Sequence, residues 1–111
     1  MIARTWHGRV PAAKADAYYD YLLRTGLPDY CSTPGNRGIL VQRWAEGKVA
    51  HFLLTTLWNS LDSIKQFAGE AYEEARYYPE DDDYLLEREP NVVHAKVLLA
   101  VMPTEQRDAA S

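Results

Sequence analysis

The chain has 111 residues, with 12 basic against 16 acidic side chains and a formal net charge of −4, which makes it one domain with a single core. Its Lys and Arg residues are scattered singly, without the basic patch of a nucleic-acid binder, and no apolar run approaches the ~20 residues of a membrane span. Cys31 is the only cysteine, so no intrachain disulfide can form, and the first residues lead straight into a strand without a signal-peptide pattern; a cytoplasmic protein is expected, meeting neither nucleic acid nor membrane.

Ile2 to Arg9 alternates, with Ile2, Arg4 and Trp6 on one face and Ala3, Thr5 and His7 on the other, and reads as a strand. Pro11 suits a first helical position. From there to Thr25, Ala15, Tyr18, Tyr21 and Leu22 share a helix face, and Gly26 suits the helix end. Leu27 to Gly38, with Pro28, Pro34, Gly35, Asn36 and Gly38, reads as a loop. Ile39 to Trp44 is a second strand, starting a residue or two earlier, and Glu46-Gly47 turns it into a third. Phe52 to Trp58 is apolar or β-branched without polar alternation, as in a strand covered on both faces. Asn59 and Ser60 can cap a helix in which Leu61, Ile64, Phe67 and Ala68 make one apolar stripe, ended by Gly69.

Glu70 to Tyr77 reads as a short helical piece stopped by Pro79, and Glu80-Asp81-Asp82-Asp83 as a solvated loop. Asn91 to Met102 is a fourth strand with Val97-Leu98-Leu99-Ala100-Val101 at its centre, and Thr104 to Ser111 a polar tail. The expected division is one domain over 1–102 and a tail over 103–111. The order β-α-β-β-α-β is α+β and ferredoxin-like: a four-stranded antiparallel sheet with strand three between strands one and two, and strand four beside strand one. Two helices cover only one face of such a sheet. Strand three is apolar on both, so a second copy packed sheet against sheet is expected, giving a homodimeric α/β barrel. Eight Tyr and three Trp, apolar bodies with polar tips, suit a ligand cavity or a subunit interface.

The strand-to-helix pattern T-x-W-x-S-x-x-x-I-x-x-F, here Thr56, Trp58, Ser60, Ile64 and Phe67, resembles the antibiotic biosynthesis monooxygenase family of dimeric α/β barrels. The phrases Ala75-Arg76-Tyr77-Tyr78-Pro79-Glu80-Asp81 and Thr33-Pro34-Gly35-Asn36 are similar to those of a bacterial subgroup of it. The resemblance spans Ile2 to about Val101. It implies a pocket between sheet and helices in each protomer, which in family oxygenases takes a flat phenol, quinol or anthrone. Oxygen then reacts with the deprotonated substrate without metal, flavin or other cofactor. The chain also departs from the family. Where its polycyclic oxygenases carry Asn and Tyr, this sequence has Leu54 and Ile64; where haem-degrading relatives carry Trp and a haem-ligating His, it has Phe67 and Arg76.

The expected function is therefore a cofactor-independent monooxygenase acting on a small phenolic or quinol-type aromatic. The alternative is a non-catalytic dimeric barrel that binds a small hydrophobic ligand. The catalytic candidates are His7, as a base whose ordinary pKa suits proton abstraction near neutrality, and Arg4, as the holder of an aromatic anion. Trp6, Trp58, Tyr72, Arg76 and Tyr77 are the substrate-binding candidates, with Trp6 as stacking wall, Tyr72 as hydrogen-bond donor, and Arg76 and Tyr77 at the pocket mouth. His7, His51 and His94 fall at one end of the expected sheet, where three imidazoles would suit a transition metal. Their spacing carries no metal motif, and no metal is assigned. The sequence leaves open which face of the first strand, Arg4 and Trp6 or Thr5 and His7, looks at the helices.

Overall fold

In the computed structural model, which describes residues 1–102, the chain runs β1 (Ile2–Pro11), α1 (Ala15–Arg24), α2 (Gly26–Ser32), β2 (Asn36–Glu46), β3 (Val49–Trp58), α3 (Leu61–Ala68) and β4 (Val93–Lys96). The expected tail, 103–111, lies outside the described residues. The strands form one antiparallel sheet in the order β2-β3-β1-β4, so the fold is the expected α+β, ferredoxin-like one.

The alternation of β1 and β3 sets the core. Arg4, Trp6 and Val10 are buried on β1, and Ala50, Phe52, Leu54, Thr56 and Trp58 on β3. Arg4 pairs with Thr56, Trp6 with Leu54 and Gly8 with Phe52, so these side chains share one sheet face. Tyr18, Tyr21 and Leu22 of α1, Tyr30 of α2, and Ile64 and Phe67 of α3 join them in one apolar cluster. Arg4 and Trp6 therefore look at the helices, while Thr5 and His7 look away. The outward residues of β3, His51, Leu53, Thr55 and Leu57, are half-buried.

The β3–α3 junction follows its local chemistry. The Ser60 hydroxyl accepts the Ser63 N–H at 3.3 Å, and Gly69, at φ +84°, ends the helix where a β-carbon would strain. Gly47, at φ +60°, makes the tight β2–β3 turn. Gly8 has a different task. A β-carbon there would fall 2.3 Å from Cη2 of Trp6 and 3.0 Å from Leu85, so the bare glycine is what lets the Trp6 indole lie flat along β1.

Four expectations are corrected. Pro11 ends β1 instead of opening a helix, and a single 3-10 turn, Ala12–Lys14, leads into α1. Gly26 opens α2 within the stretch read as a loop. Pro28 falls in the first turn, where its missing N–H has no intrahelical partner to lose, and buried Tyr30 anchors the helix to the core. Residues 70–77 are turns and extended chain. The Val92 N–H donates to the Glu73 carbonyl and the Ala75 N–H to the Pro90 carbonyl, so backbone that a helix would use internally is spent on the strand leading to β4. Finally, β4 stops at Lys96. Lys96 pairs with Ile2 and the Val97 N–H reaches the Met1 carbonyl. Among the described residues no strand pairs with 98–102, and Leu98, Leu99, Val101 and Met102 are exposed.

Gly8→Ala is expected to lower the unfolding free energy by roughly 1–3 kcal/mol through overpacking against Trp6. Urea unfolding measures it, and a change below a few tenths would show that the indole gives way freely.

Candidate functional site

Between the sheet and α1, α2 and the 76–85 segment lies an apolar cavity. Trp6, Tyr18, Leu22, Gly26, Tyr30, Leu54, Arg76, Tyr78 and Asp81 line it. Its volume is about 20 Å³, room for about one water where ligand sites usually run to ~300 Å³ or more. Beside the cavity, Asp29 forms a latch between α2 and the 76–78 segment. Asp29 Oδ2 on α2 accepts the Tyr78 hydroxyl at 2.6 Å and lies 3.3 Å from Arg76 Nη2. The Arg76 guanidinium stacks between Phe67 and Tyr78, 4.7 and 5.4 Å from their ring centroids, and donates to the Phe67 carbonyl at 2.8 Å. The two Asp29 links are side-chain contacts of a seven-residue helix.

The wall carries charge in unusual places. Asp81, in the run read as solvated, is 3% exposed. Its Oδ2 accepts the Tyr78 N–H at 2.6 Å and its Oδ1 the Tyr18 hydroxyl at 3.4 Å. Burial pushes the Asp81 carboxyl above its ordinary value, against the pull of those donors. Burial also raises Tyr18, Tyr30 and Tyr78, and each hydroxyl therefore keeps its proton. A turn explains why Asp81 points inward. The Asp81 N–H donates to the Tyr78 carbonyl at 3.0 Å, closing Tyr78-Pro79-Glu80-Asp81 around a proline in its favoured turn position. Tyr-Pro-x-Asp was the available signal, hidden by the three acids around Asp81.

Arg4 is 2% exposed, behind the cavity wall. Its Nη2 donates to the Glu74 carbonyl at 3.1 Å, its Nε has no partner, and its guanidinium lies 5.5 Å from the Phe67 ring centroid. Among the described residues no carboxylate pairs with it. Burial lowers its pKa, Tyr30 works the other way, and the like charge of Arg76 adds to the lowering. Arg4 is thus the guanidinium on this side of the sheet without a carboxylate, whereas Arg76 has Asp29 at 3.3 Å; a buried cation left unpaired favours an anion nearby.

The remaining candidates scatter. Trp6 is on the cavity wall; its Nε1–H donates to the Tyr77 hydroxyl at 3.4 Å, and Tyr77 sits just behind. Trp58 is fully buried as packing, tilted against Phe67 with its N–H on the Thr56 hydroxyl at 2.8 Å. Tyr72 lies away from the cavity, edge-on to His94 in an open cleft beside β4. His7 is on the opposite sheet face, bonded to His51 at 2.9 Å. His94, cross-strand from Arg4, points to the helix side. The three histidines therefore do not converge, and no group of metal-ligating side chains forms among the described residues.

No family model and no curated protein matches the sequence. Solved structures do match in fold. The haem-degrader MhuD from Mycobacterium tuberculosis, solved with two haems bound in its active site, superposes with a TM-score of 0.62 at 18% identity, over 92% of this chain and 100% of its own. A proposed antibiotic biosynthesis monooxygenase from Bacillus cereus does so at 0.56 and 13%, over 93% of this chain and 95% of its own. Another from Bordetella bronchiseptica gives 0.54 and 15%, over 88% and 98%. At such identities the likeness is one of fold, and the chain has the antibiotic biosynthesis monooxygenase fold.

Proposed function

We propose that the cavity opens to take a small flat aromatic acid or phenol as its anion, and that the protein is a cofactor-independent monooxygenase on such a compound. The observation that carries this reading is the wall itself: Asp81 and Arg76 line one cavity with four aromatic rings, and Arg4 lies buried behind it without a carboxylate. Trp6, Tyr18, Tyr30 and Tyr78 suit a planar ring. Arg76, with Arg4 behind it, suits an oxyanion. Asp81 replaces His7 as the proton acceptor, because His7 is across the sheet. Desolvation raises the affinity of the Asp81 carboxylate for a proton, and the two guanidinium groups favour a phenolate, so the gap between donor and acceptor narrows from both sides. On an anthrone-like substrate the deprotonated ring gives one electron to oxygen. The two radicals combine to a hydroperoxide, which loses water and leaves a carbonyl. Substrate and oxygen become product and water with no outside reductant.

The alternative, a non-catalytic barrel, is favoured by one observation, the 20 Å³ volume. The two readings divide on whether the Asp29 latch opens. Titration calorimetry with 4-hydroxybenzoate is expected to show binding, weakened roughly 10–100-fold in Arg76→Leu by loss of a charged hydrogen bond of about 1.5–3 kcal/mol. Oxygen uptake with anthrone is expected in the native chain and not in Asp81→Asn. No binding to either protein favours the non-catalytic barrel; binding without uptake leaves a carrier.

The homodimer is part of the proposal. Leu40, Trp44 and Val93 are exposed on the sheet face away from the helices, and Leu98, Leu99, Val101 and Met102 extend beyond β4. A second copy would cover both, at ~1.5–3 kcal/mol per large apolar side chain buried. Sedimentation is expected to give a dimer, and Leu98→Asp with Leu99→Asp a folded monomer. A native monomer would contradict it.

A further inference from the structure

On the sheet face away from the helices, four side chains stand in a line. Glu89 Oε2 lies 2.5 Å from His7 Nδ1, His7 Nε2 lies 2.9 Å from His51 Nδ1, and His51 Nε2 lies 3.0 Å from Glu46 Oε1. Trp44 caps the line. Its ring stacks on His51 at 4.7 Å and 4°, and its Nε1–H donates to the same Glu46 oxygen at 3.1 Å. Arg9 and Glu87 form an ion pair alongside. These are the charged groups that face the imidazoles from β1, β2, β3 and the 86–90 segment.

The hydrogens can be counted. A ring nitrogen and a carboxylate oxygen at such distances hold a hydrogen between them, because two facing lone pairs would repel. With both carboxylates ionised, His7 Nδ1 and His51 Nε2 are therefore both N–H. In neutral rings this would leave His7 Nε2 and His51 Nδ1 as bare acceptors, facing each other at 2.9 Å. Two acceptors do not bond, so the gap holds one more hydrogen.

Glu89 connects this line to the other side of the sheet. Its side chain meets His7, while its carbonyl accepts the Tyr77 hydroxyl at 2.5 Å. That hydroxyl accepts the Trp6 indole N–H at 3.4 Å. The Leu86 N–H, bonded to the Arg9 carbonyl at 2.9 Å, pins the segment along the β1 edge. The path from His7 to the cavity wall thus has three contacts: His7 to Glu89, Glu89 to Tyr77, Tyr77 to Trp6.

We propose that His7 and His51 share one proton beyond those of two neutral rings, and that this shared proton sets the position of Glu89 and, through Tyr77, of the Trp6 wall. With the proton in place the line is continuous. When it leaves, two lone pairs oppose each other and the rings separate, with Glu89 following His7. The device makes the helix-side cavity responsive to the protonation of the opposite sheet face, the face that the proposed second copy would cover. It does not depend on the cavity taking any ligand, so its failure and that of the proposed function are separate results.

The test is nitrogen-15 NMR of the full chain through a pH series around the range where imidazoles ordinarily change charge, about pH 5 to 8. In the protonated state the His7–His51 pair is expected to show three ring N–H hydrogens, one of them shared and far downfield. Loss of that hydrogen is expected to move the Trp6 indole N–H resonance with the same midpoint. Trp58, whose N–H donates to Thr56, is the stationary control. In His51→Gln the Trp6 response at that midpoint is expected to vanish. In Glu89→Gln the rings still share a proton, and the Trp6 response falls severalfold. Two N–H hydrogens on the pair throughout the series would overturn the shared proton. A Trp6 resonance unmoved while the native pair titrates would overturn the link.

Discussion

The pairing of β1 with β3 is the constraint on which the rest depends. Trp6 opposite Leu54 and Gly8 opposite Phe52 put a large ring beside a residue with no side chain, so the indole lies along β1 and forms one wall of the cavity under the helices. A shift of one residue would exchange Trp6 and Arg4 for Thr5 and His7. The cavity would lose its aromatic wall, and the histidine line would move into the core. One register thus sets both the chemistry on the helix side and the chemistry on the open side.

Within that frame polar groups do the specifying. The helix-side core is mostly apolar, yet it keeps Arg4, Asp81 and three buried tyrosines, Tyr18, Tyr21 and Tyr30. Buried charge of this kind does little for stability compared with apolar residues of the same volume. Its placement along one cavity is better explained by what the cavity receives. The small volume goes with the Asp29 latch, which ties the short helix α2 to Arg76 and Tyr78 through side chains and not through a strand or a long helix.

Much of this was legible in the sequence because it is local. The run from Phe52 to Trp58 into the Ser60 cap and the Ile64–Phe67 stripe carries its own periodicity, and its T-x-W-x-S pattern leads to the fold that the solved structures share. The ferredoxin-like order follows from element order and handedness. What was not legible depends on contacts made at a distance. Asp81 is buried because a proline turn folds it back under Tyr18, against the pull of three neighbouring acids. α2 forms because Tyr30 finds the core, despite Gly26 and Pro28. The chain is apolar to Met102 but β4 ends at Lys96, because strand length is set by the neighbour as well as by composition. His7 and His51 alternate onto the outer face by parity, and only the β1–β3 register brings their rings together.

The central claim is that the helix-side hollow, and not the opposite sheet face, receives an aromatic anion. The most direct measurement is an amide and indole NMR map of the chain titrated with 4-hydroxybenzoate. The Trp6 indole and the backbone of Tyr30, Arg76, Tyr78 and Asp81 are expected to shift together to saturation, while the Trp44 indole does not move. Shifts confined to Trp44 and the outer residues of β3, or none at saturating ligand, would contradict it.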